Sequence, residues 1–139
     1  MLRPETRARA RALQMLYAWE LQQRPPIGSV VHQVLQLAGP RERAGTGDRA
    51  TTLAQGVAKD AARLDGEIAG QADNWRIERI GAIERAILRL AVFELDESKA
   101  PAPVVIDEAV RLAHWFAGPK APAFINGVLD GLARRRGKL

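Results

Sequence analysis

Between positions 80 and 95 the apolar residues Ile80, Ile83, Ile87, Leu90, Ala91 and Leu95 recur every three or four places. That spacing constrains the chain more than any other feature. A helix turns once in about 3.6 residues, so such a set lies along one side of it. A strand would need alternation, and Ile83-Glu84-Arg85-Ala86-Ile87 does not alternate. The segment predicts a central helix with one side buried.

The same spacing returns along the chain. A first helix is predicted from about Pro4 to Gln23, with Ala12, Leu13, Leu16, Tyr17, Trp19 and Leu21 inward and Arg24-Pro25-Pro26 as its stop. A short helix follows over Val30 to Ala38, with Ser29 as N-cap and Val30, Val31, Val34, Leu35 and Leu37 as its apolar set. Residues 39–47, with three glycines and a proline, read as a loop. A third helix spans Asp48 to Gly70 on the stripe Ala50, Leu53, Val57, Ala61, Leu64 and Ile68, and Asp73 is placed to cap the segment after it. Pro101 and Pro103 restart the chain into a helix carrying Val105, Ile106, Ala109, Val110, Ala113 and Phe116. A last helix runs from about Ala121 to Arg135, with Phe124, Ile125, Val128, Leu129 and Leu132 inward and Gly127 and Gly131 four apart, a spacing that permits a close crossing. Six or seven helices in 139 residues predict an all-α compact bundle, read as a single domain over 1–139 with a basic tail at 134–139.

Charge is unevenly placed. The net charge is +5, yet residues 1–24 hold five arginines against Glu5 and Glu20, and residues 134–139 hold Arg134, Arg135, Arg136 and Lys138 with no acid. The middle is slightly acidic. Such asymmetry points to a polyanion met by the ends of the chain, with a pair of solvated tails as the plain alternative. Arg7 and Arg11 lie four apart and share a helix face, with Arg3 one turn earlier. Arginines so spaced can meet successive phosphates, although basic faces also bind acidic proteins and anionic lipids.

Little else invites chemistry. There is no cysteine, which removes disulfides and thiolate catalysis and fits a reducing, cytoplasmic setting. Two histidines, His32 and His114, make a histidine metal cage improbable, and no metal or catalytic site is expected. No phosphate loop, dinucleotide fingerprint or serine elbow occurs. The adjacent acids Asp96-Glu97 and Asp107-Glu108 read as solvated surface pairs. No stretch has the apolar length of a membrane helix, about 20 residues, and the Arg-rich start lacks the apolar core of a signal peptide.

Several blocks then point one way together. Arg7-Ala-Arg-Ala-Arg-Ala-Leu-Gln-Met-Leu-Tyr17-Ala-Trp19-Glu, Gln55-Gly56-Val57 with Leu64-Asp65, the run from Glu78 to Leu95, Pro103 to Ala113, and Phe124-Ile-Asn-Gly-Val-Leu-Asp130 follow one another in order and cover most of the chain. Together they resemble the NusB family of transcription antitermination factors. Glu5 and Thr6 stand where that family's Arg-rich motif is commonly basic, and Asp107 stands where it has asparagine.

The resemblance implies two small helical halves and a non-catalytic RNA-binding protein without cofactors. It implies binding to boxA RNA together with NusE, a small ribosomal protein, and a place in the RNA polymerase antitermination complex during ribosomal RNA synthesis. Carried over residue by residue, it implies RNA contacts at Arg3, Arg7, Arg9, Arg11, Lys120 and Phe124, and partner contacts at Tyr17, Glu84 and Arg89. The alternative reading is a dimeric interaction module, or one associated with an RNA methyltransferase.

Overall fold

The computed structural model of the chain describes residues 3–40, 47–72 and 80–139. Among them lie six helices and no strand: α1 (Pro4–Leu21), α2 (Ile27–Ala38), α3 (Gly47–Gln71), α4 (Ala82–Glu97), α5 (Ala102–Phe116) and α6 (Ala121–Arg135). The chain forms two compact units, Met1–Lys59 and Asp60–Leu139, with the boundary inside α3. The loop expected at 39–47 and the cap expected at Asp73 fall mostly or wholly outside the described residues.

In the first unit α1 packs on α2. Ala8, Ala12, Leu13, Met15, Leu16 and Trp19 form the buried side of α1, and Val30, Val31 and Val34 that of α2. The corner between them is built on Trp19. Its indole N–H donates to the Pro25 carbonyl at 2.8 Å. The Arg24 guanidinium sits 4.8 Å from the centre of its ring and bonds Glu20 at 2.8 Å. Gln23 and Arg24 both take left-handed backbone, which turns the chain sharply. Ser29 is not the N-cap of α2. The helix starts earlier, behind Pro26, and the Ser29 hydroxyl donates back to the Pro26 carbonyl at 2.8 Å. Leu21 and Leu37, expected inside, are exposed, because each sits in the last turn of its helix. Gly39, at φ +90°, closes α2 in a conformation that side chains disfavour.

The predicted stripe of α3 is buried at all six positions. In the second unit α4, α5 and α6 pack against one another. Every residue of α4 from Ala86 to Val92 is buried, so this helix is enclosed on more than its apolar stripe. Ile80 is buried just ahead of the helix, and Ile83 is half-buried. Phe116, expected inside, is 48% exposed at the end of α5. The two glycines of α6 differ. Gly127 is exposed, and a side chain there would meet nothing within 4 Å. At Gly131 a Cβ would overlap the Gln71 side-chain amide of α3, so the close approach is made at one glycine only.

The C-terminal residues do not form a free basic tail. Arg134 and Arg135 are the last turn of α6. Gly137, at φ +68°, then reverses the chain: its N–H donates to the Arg134 carbonyl at 3.0 Å and that of Lys138 to the Ala133 carbonyl at 2.9 Å. This is the glycine-terminated helix end that satisfies otherwise orphaned carbonyls. Lys138 reaches the Leu95 carbonyl and the Ser98 hydroxyl at the end of α4. Arg136 bonds Asp96 at 2.8 Å and Glu67 at 2.6 Å.

Candidate nucleic-acid interface

A helix advances about 100° per residue, so positions 3, 7 and 11 drift slowly round one side of α1 while position 9 faces away. The structure follows that geometry. Arg3 and Arg7 are exposed, and Arg11 is half-buried with its guanidinium on Gln14. Arg9 is 8% exposed and lies on the buried side of α1 beside Ala8 and Ala12. The cationic face therefore consists of Arg3, Arg7 and part of Arg11. Thr6, between the arginines, is also buried.

A second group sits in the other unit. Lys120 is the exposed residue immediately before α6 and Phe124 is half-buried one turn on. Just ahead of them α5 ends in Trp115 and Phe116, which are 44% and 48% exposed. Their rings meet edge to face with centroids 6.2 Å apart. The pattern of α5 had marked Phe116 as inward and left Trp115 unassigned.

The residues expected to meet a partner protein separate clearly. Tyr17 is half-buried on α1. Glu84 is half-buried in the first turn of α4, and its carboxylate folds over Gly81, where a Cβ would lie 2.5 Å from Oε1. A carboxylate there faces the positive end of the helix. Arg89 is different. It is 4% exposed, and its Nε and Nη2 donate to the two carboxylate oxygens of Asp65 at 2.6 and 3.0 Å. That bidentate pair joins α4 to α3 inside the second unit, so the structure gives Arg89 an internal place rather than the surface one expected of a partner contact.

Glu108, expected among solvated acids, is buried and pairs with Arg111 at 3.3 Å. Asp96 remains at the surface but is held by two arginines, Arg63 at 3.0 Å and Arg136 at 2.8 Å. Partial burial pushes its carboxyl up, and the hydrogen bonds and charges of Arg136 and Arg63 outweigh that and hold it below the usual carboxylate range. Arg63 also bonds Glu67 and Asp60, at 2.9 and 3.2 Å. Among the described residues no cluster of three or more His, Asp or Glu could hold a metal, and no helix is long and apolar enough to cross a membrane.

Comparison with known proteins agrees across sequence and fold. The model of the NusB family matches residues 6–134. The chain is 38% identical over 128 residues to the transcription antitermination protein NusB of Solibacter usitatus, covering 92% of this chain and 87% of that one. It is 39% identical to the NusB of Anaeromyxobacter dehalogenans strain 2CP-1, covering 92% and 89%. Among solved structures it resembles T. maritima NusB, with a TM-score of 0.84 at 25% identity and 96% and 93% coverage. A crystal structure of antitermination factors NusB and NusE in complex with dsRNA contains a chain similar to it at 29% identity, with a TM-score of 0.84 and 97% and 99% coverage.

Proposed function

Because the chain belongs to the NusB family, we propose that it is a transcription antitermination factor that binds boxA RNA together with NusE and supports antitermination in ribosomal RNA synthesis. The observation that carries the RNA half is the exposed pair Arg3, at the N-cap of α1, and Arg7, in its second turn, with Arg11 at the edge. Guanidinium groups one helical turn apart can neutralise successive phosphates, and each contact releases counterions from the RNA. Lys120 and Phe124 add a cation and an aromatic ring at the start of α6. The related chain solved with NusE and dsRNA supports the same pairing of partners.

Tyr17 and Glu84 are the proposed contacts for NusE. Both keep part of their side chain accessible. The protein works as an adaptor in the RNA polymerase antitermination complex, in the cytoplasm, without catalysis or cofactor. Titration of labelled boxA RNA with and without NusE tests this directly. Binding that tightens when NusE is added is the expected result, and RNA binding absent under both conditions would refute it.

A further inference from the structure

We infer that Trp115 is a base-stacking residue, and that the end of α5 with the turn into α6 takes unpaired RNA bases. The inference rests on the RNA-binding reading and adds a residue to it. Trp115 lies off the buried stripe of α5, which runs through Val105, Ile106, Ala109, Leu112 and Ala113. Core packing therefore does not demand an aromatic residue there. An indole left 44% exposed is an unusual use of the largest side chain. The Phe116 ring stands edge-on to it at 84°.

The surroundings select the occupant. From residue 111 to residue 124 there is no Asp or Glu, while Arg111, His114 and Lys120 are all exposed and Phe124 is half-buried. Arg111 is paired with Glu108, and Lys120 is the next cation to the rings in sequence. Exposed aromatic faces among cations suit single-stranded nucleic acid, in which bases stack on rings while phosphates meet the charges. A purely apolar protein partner would leave those cations unmatched.

The test is anisotropy titration of a short labelled single-stranded RNA with the full chain and with Trp115→Ala, Trp115→Phe and Lys120→Ala, each at several salt concentrations. Loss of one stacked base should weaken binding between about 5-fold and about 150-fold. Stacking releases no counterions, so Trp115→Ala should keep the salt slope of the parent, whereas Lys120→Ala should flatten it by about 0.7. Trp115→Phe should retain most of the affinity. On the same RNA carrying abasic sites, Trp115→Ala and the parent should bind alike. If Trp115→Ala binds intact RNA as the parent does, or loses as much on abasic RNA, stacking is refuted while RNA binding stands. Loss of NusE binding alone in Trp115→Ala would also refute it and assign the rings to a protein. A parent chain that binds no RNA either alone or with NusE present refutes the underlying function itself.

Discussion

Arg136 donates through Nε to Asp96 across 40 residues of sequence, and the same guanidinium reaches Glu67 on α3. A residue that looked like part of a free cationic tail is thereby one centre of a charge network in the second unit. Its removal should lower stability rather than RNA affinity. Partly exposed ion pairs contribute about 1 kcal/mol or less each. Arg136→Ala should therefore lower the thermal midpoint by a few degrees, roughly 4 °C for a chain of this size. RNA titrations of the variant should superpose on those of the parent. An unchanged midpoint with weakened RNA binding would make Arg136 an RNA contact.

The same network gives a pH dependence. The Asp96 carboxyl is lowered in the folded chain, so the unfolded chain binds its proton more readily. The stabilisation is complete above the unfolded value, near pH 4, and is lost as pH falls through the lower folded value. Thermal midpoints measured between pH 7 and about pH 3 should therefore fall more steeply for the parent than for Asp96→Asn. Equal slopes would show that Asp96 is not depressed in the folded state.

Arg89 and Asp65 form a buried bidentate pair. Breaking a fully buried pair by removing one partner costs about 3–5 kcal/mol. Asp65 keeps some access to water, so about 2–3 kcal/mol is expected for Arg89→Ala, and a similar cost for Asp65→Ala, which removes the bidentate acceptor of the deeper guanidinium. Urea unfolding measures both. A cost under about 0.5 kcal/mol, the usual surface value, would place Arg89 outside the fold's interior.

Gly127 and Gly131, four apart on α6, should respond differently to alanine. At Gly127 the helix gains up to about 1 kcal/mol from better propensity, since nothing lies within 4 Å. At Gly131 the same gain is offset by displacing the Gln71 amide. Gly131→Ala should thus be less stable than Gly127→Ala in parallel thermal melts. Equal stabilisation at both would mean that Gln71 does not pack there.

How far the sequence carried follows from range. Local periodicity was enough for α3, where all six stripe residues are buried, and for α6, whose observed bounds match those expected. It misjudged Leu21, Leu37 and Phe116, because a helical pattern names a face but not the point at which the neighbouring helix stops covering it. Arg9 illustrates the reverse: counted among the cations of the motif, it lies on the buried side of α1, as its helical angle requires. The roles of Arg89 and Arg136 were not legible locally, since their carboxylate partners lie 24 and 40 residues away. The order of blocks along the chain carried the family, while the exposed Trp115 needed the fold to be seen.

Glu84 tests the partner surface. It faces the positive end of α4, so Glu84→Lys should cost about 0.3–1 kcal/mol of stability. Binding to NusE should fall by much more than that cost explains. Calorimetric titration with NusE, beside a thermal melt, separates the two effects. Retained NusE binding would remove Glu84 from the interface.

The most direct measurement is the salt dependence of boxA RNA binding by the parent chain and by the double variant Arg3→Ala/Arg7→Ala. Both residues are exposed; Arg3 is the N-cap residue of α1 and makes no side-chain cap bond, and Arg7 lies one turn further on, where alanine sustains a helix well. If both meet phosphates of single-stranded RNA, the log–log slope should flatten by about 1.4, or about 0.7 per lost contact, with the fold intact. A slope that is unchanged in the double variant would contradict RNA binding through this face of α1.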